Sequence, residues 1–75
     1  MEVKIAETFV GPDGGISVKV IYPNLGNDSE VLTYPAGTNS QDILTQVKDH
    51  ATTIWNNYQM EQQLGSELNN QIIQV

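Results

Sequence analysis

This 75-residue chain contains no cysteine and no arginine. Without thiols there is no disulfide framework and no thiolate metal site, so a small fold must be held by packing alone. Three lysines stand against nine acids, a formal net charge of −6. That balance excludes the clustered cations that sequence-independent binding to phosphates or anionic lipid requires, so no direct nucleic-acid binding is expected. Long hydrophobic runs are also missing, and nothing approaches the roughly 20 apolar residues of a membrane span. The opening MEVKIAETFVG has no basic segment followed by a long apolar one, so no signal peptide is expected.

What the chain does contain is distributed unevenly. Five of the six glycines and all three prolines fall in residues 1–38, which read as strands and turns. Residues 39–75 hold one glycine and no proline, and read as helix. Both parts belong to one small domain. With 39% hydrophobic residues its core is thin, and oligomerisation is the remaining way to bury more surface.

In MEVKIAETFV, Val3, Ile5 and Phe9 share one parity, with a lapse at Glu7. The run GPDGG then forms a turn, Pro12 presetting φ and Asp13-Gly14 supplying left-handed conformations. ISVKVIY alternates cleanly, with Ile16, Val18, Val20 and Tyr22 on one side. NLGNDS makes a second turn, whose acidic spacing is wrong for a calcium loop. EVLTY is a third, shorter strand. Each Tyr-Pro pair, at Tyr22-Pro23 and Tyr34-Pro35, ends a strand because proline cannot donate to the ladder.

The pattern predicts three antiparallel strands near 2–10, 15–22 and 29–34, followed by a long helix from about Ser40: an α+β fold. The helix is capped either by Thr38 with Gln41 or by Asn39 with Asp42. Leu44, Val47, Ala51, Ile54 and Tyr58 step by three and four, an amphipathic stripe within an arc of about 80°. The expected core is Val3, Ile5, Ile16, Val18, Val20, Leu44, Val47, Ala51 and Ile54. Ala6, Val10, Ile21 and Leu32 are candidates for the opposite sheet face.

Past Tyr58 the stripe does not continue. Leu64, Leu68, Ile72 and Val75 form a second ladder, rotated roughly 70° from the first. The helix therefore either bends or breaks near Gly65, with Ser66 able to cap a new segment, or runs straight and presents two faces. From Ile54 onward there are nine Asn or Gln side chains, two glutamates and no lysine. Amides are desolvated more cheaply than charges, and interface centres are depleted of charge. Met60, Leu64, Leu68, Ile72, Ile73 and Val75 are accordingly the expected protein-contact residues, meeting a partner protein or another copy of the chain.

Chemistry has little to draw on. His50 is the only histidine, and its neighbour Asp49 points elsewhere on a helix, so His50 reads as a boundary residue. No serine sits in a nucleophile elbow and no Gly-rich loop enters a helix. No enzyme activity, cofactor or metal is expected. Acidic, cysteine-free, amide-rich chains of this size resemble small bacteriophage virion proteins in texture. The expectation is a non-catalytic structural or assembly protein of the cytoplasm or a virion. The alternative is an acidic inhibitor, a nucleic-acid mimic or antitoxin-like protein filling a basic groove, although the acids here are scattered.

Overall fold

Three antiparallel strands in the order β1-β2-β3 carry one long helix, an α+β arrangement. The structure is a computed structural model that describes all residues from Met1 to Val75. Strands β1 (Lys4–Val10), β2 (Ile16–Tyr22) and β3 (Asp28–Tyr34) are each seven residues long, and the helix α1 spans Ser40–Leu68.

Turn chemistry sets the strand ends. Gly11 donates to the Gly15 carbonyl at 2.8 Å, and Asp13 Oδ1 accepts from the Gly15 N–H at 3.0 Å. Gly14 must be glycine. Its φ is +84°, and a Cβ there would sit 3.1 Å from the Ala36 Cβ, so the first hairpin packs against the approach to α1. Between β2 and β3, Pro23–Leu25 form a 3-10 turn that closes through left-handed Gly26 and Asn27. Of the two possible helix caps, Asn39 is used: its side chain accepts from the Asp42 N–H at 2.8 Å.

Register decides which residues meet the helix. Ile16, Val18, Val20 and Tyr22 line one side of β2, opposite Tyr34, Leu32, Glu30 and Asp28 of β3. Val18, Val20, Tyr22, Tyr34, Val47 and Ala51 are the buried core, with Val3, Ile16, Leu25, Leu32, Ile43 and Ile54 packed around it. Leu32 thus faces the helix, opposite Val18, rather than the far side expected for it.

β1 breaks its own alternation. A bulge between Ile5 and Glu7 shifts the register, so Ile5 opposes Val20 while Glu7 opposes Lys19. Residues of equal parity on either side of the bulge therefore lie on opposite faces. Val10 moves to the helix side, opposite Ile16, and Phe9 to the open side, opposite Ser17. Every residue of β1 is exposed, Ile5 included, because α1 packs chiefly over β2 and β3. Leu44 is exposed for the same reason. The helix meets the sheet along Ile43, Val47, Ala51 and Ile54, and Leu44 lies on the flank it shares with Trp55.

A candidate contact surface on the terminal helix turns

One polar cluster anchors α1 to the sheet. The Tyr22 hydroxyl donates to Glu30 Oε1 at 2.5 Å, and His50 Nε2 lies 2.6 Å from the same oxygen. Burial pushes the Tyr22 phenol far up, and its bond to the Glu30 carboxylate pushes it further. Burial alone would raise the Glu30 carboxyl. The hydrogen bonds from Tyr22 and His50, with the His50 charge, outweigh it and hold the group below the usual carboxylate range. Both donors converge on one carboxylate oxygen, so the cluster bridges strand, strand and helix. His50 is the half-buried boundary residue expected, and it is also pinned by this contact. Its partner stands twenty positions away in β3, where no local spacing rule could have revealed it.

Beyond this anchor the helix leaves the sheet. A seven-residue strand spans about 24 Å, whereas 29 helical residues run about 43 Å. The molecule measures 58 Å along its longest axis, and its radius of gyration is 17.0 Å. A compact chain of this length would have one near 11 Å. The helix runs through Gly65 without a break, neither folding back nor restarting at Ser66.

Met60, Leu64 and Leu68 form a ladder along this projection, and all three are exposed. By residue angle the ladder is rotated about 95° from the Ile43–Ile54 stripe that meets the sheet. With Asn57, Glu61 and Gly65 it makes up one open side of the helix. The ladder ends sooner than its spacing suggests. The Asn69 N–H closes onto the Gly65 carbonyl at 2.9 Å, and Asn70 turns left-handed at φ 70°. This is a helix stop in which asparagine stands where glycine is commoner. Ile72, Ile73 and Val75 consequently lie past the helix, in chain without regular structure, and are fully open to solvent. Of the six residues expected at the contact, the helix brings three together on one face, and the other three follow as an apolar tail.

The charges around the ladder are uncompensated. Glu61, Glu67 and all three lysines have no opposite charge within 4.0 Å. The last helical turn carries Glu67 and no basic residue, although the helix dipole favours a cation there. No helix is long and apolar enough to cross a membrane. Comparison of the chain with protein-family models, curated proteins and solved structures gives no match.

Proposed function

We propose that this is a non-catalytic assembly protein whose terminal helix turns are a protein-contact surface. The observation that carries this reading is the projection of an unbroken helix past its sheet, with Met60, Leu64 and Leu68 exposed along one side. A solvated helix would carry interleaved charges and ion pairs at i,i+4. Here the ladder is bordered mostly by amides, whose transfer out of water costs less than that of charges. A cysteine-free, amide-rich chain with a thin core suits a setting in which neighbouring chains complete the packing, and a virion is such a setting. Carboxylates scattered along the chain from Glu2 to Glu67 give no dense array to imitate a phosphate backbone, and the contact reading is therefore preferred.

Leu64→Asp tests it. The variant is expected to melt within a few degrees of the wild-type chain, because Leu64 is outside the core. The complex in which the wild-type chain is isolated, with its own copies or with another protein, is expected to be lost. A variant that folds and keeps that complex overturns the proposal.

A further inference from the structure

The sheet has a second face that the helix never covers. Its rows run Lys4–Ile21–Ser29, Glu7–Lys19–Val31 and Phe9–Ser17–Thr33 across the three strands. Phe9 is 58% exposed and Val31 59%, and Ser17 and Thr33 beside Phe9 are short enough to let another backbone approach. Two of the three lysines, Lys4 and Lys19, stand on this face with a single acid, Glu7, opposite Lys19, so the face carries a net charge of +1. The terminal helix turns are its opposite in charge: two glutamates, no base, and the negative end of the helix dipole.

We propose that the terminal helix turns of one copy dock on the open sheet face of the next, giving a head-to-tail assembly. The proposal rests on the contact reading above and names its partner as a second copy of this chain. Three arguments select it. The first is charge: pairing two terminal helices with each other would gather four glutamates and no cation, whereas docking on the sheet sets Glu61 and Glu67 against Lys4 and Lys19 with one further acid, Glu7. The second is spacing. Met60, Leu64 and Leu68 advance by about 6 Å per step, close to the roughly 6.8 Å between successive rows of the sheet face. Leu64 over the Val31 row therefore sets its two neighbours over the rows that contain Ile21 and Phe9.

The third argument is area. The chain exposes 5748 Å². A compact 8.3 kDa monomer would expose about 4,600 Å², so the excess is about 1,150 Å². In a head-to-tail contact each copy contributes its helix to one neighbour and its sheet face to another. The area hidden per copy is then that of a whole interface, and stable ones begin near 1,200 Å². Such a heterologous contact does not close on itself in a pair, so it continues into a ring or a filament.

Light scattering across a concentration series, with charge-reversed variants, tests this. The wild-type chain is expected to rise through successive multiples of 8.3 kDa. Lys4→Glu with Lys19→Glu in one variant, and Glu61→Lys with Glu67→Lys in another, should each weaken association at least tenfold while circular dichroism shows the fold intact. Mixed together, the two variants match at every contact and should assemble again. Phe9→Ser, which alters no charge, should also weaken association tenfold. Normal association of the lysine-reversed variant, or a mixture that stays apart, overturns head-to-tail docking. A wild-type chain that remains at 8.3 kDa at every concentration also overturns it, and the contact reading then stands or falls on Leu64→Asp alone. Assemblies that survive Leu64→Asp overturn both.

Discussion

The two halves of α1 share one backbone and differ in almost everything their side chains meet. From Ile43 to Ile54 the apolar residues other than Leu44 pack with Val18, Val20 and Tyr34, and His50 is held by Glu30. From Asn57 to Leu68 the apolar residues face solvent and the charges have no partners. Helical hydrogen bonding alone does not separate the halves, since it continues through Gly65. What separates them is the length of the strands. The sheet ends where seven residues end, and whatever helix follows must be covered by another chain or remain bare. On the proposed reading, a second molecule occupies the surface that the fold extends beyond its own reach.

The comparison is broken most severely by charge in the covered half. Val47 is 3% exposed, and Val47→Asp should lower stability by about 3–5 kcal/mol, comparable with the whole stability of a domain this small. Thermal melting should show a lost or very broad transition. Leu68→Asp, at a position 62% exposed, should change stability by no more than about 0.5 kcal/mol while weakening association. Equal destabilisation by the two substitutions would make the outer half part of the same core.

Smaller effects sharpen the boundary between the halves. Tyr22→Phe removes the hydroxyl bound to Glu30 and should cost about 1 kcal/mol in chemical denaturation. The Glu30 carboxyl lies below its ordinary value of 4.5 in the folded chain, so across that window the unfolded chain binds more protons. The stability it contributes is complete above about pH 4.5 and declines as pH falls through the lowered folded value. Glu30→Gln should flatten this acid limb in melts recorded from pH 6 to pH 3. Gly65→Ala should act in the opposite direction, stabilising the helix by up to about 1 kcal/mol of propensity and so raising the melting temperature. The added methyl would meet only the Asn69 side-chain amide, 3.1 Å away, which can swing aside.

Strand periodicity, the two turns and a helix cap at Thr38 or Asn39 were legible in the sequence because each depends on neighbours within a few residues. The lapse at Glu7 was visible as well, but its meaning was not. A lapse can be an error in alternation or a bulge, and only pairing with Lys19 shows that it transfers Phe9 to one face and Val10 to the other. Leu44 fitted the helical stripe by angle and lies outside the core because the helix sits off β1. The Glu30–His50 contact joins residues far apart in sequence, and local spacing carries no trace of it. The asparagines of the last turn were read only as candidate interface amides; that two of them end the helix required the backbone angle at Asn70.

The bulge in β1 has a consequence for how copies of this chain can meet. Both outer strands of a three-stranded sheet offer unpaired backbone N–H and C=O groups, the usual template for runaway strand addition. An extra residue near Ala6 interrupts the even spacing of those groups along β1 and increases its local twist, so an incoming strand would lose step with it. β3 keeps an unbroken register with β2 and is bounded by the left-handed Gly26–Asn27 turn before it and Pro35 after it, which limits any added strand to about the same seven residues. One blunted edge and one short one favour recognition through side chains, which is specific and reversible, over the backbone zippering that leads to amyloid.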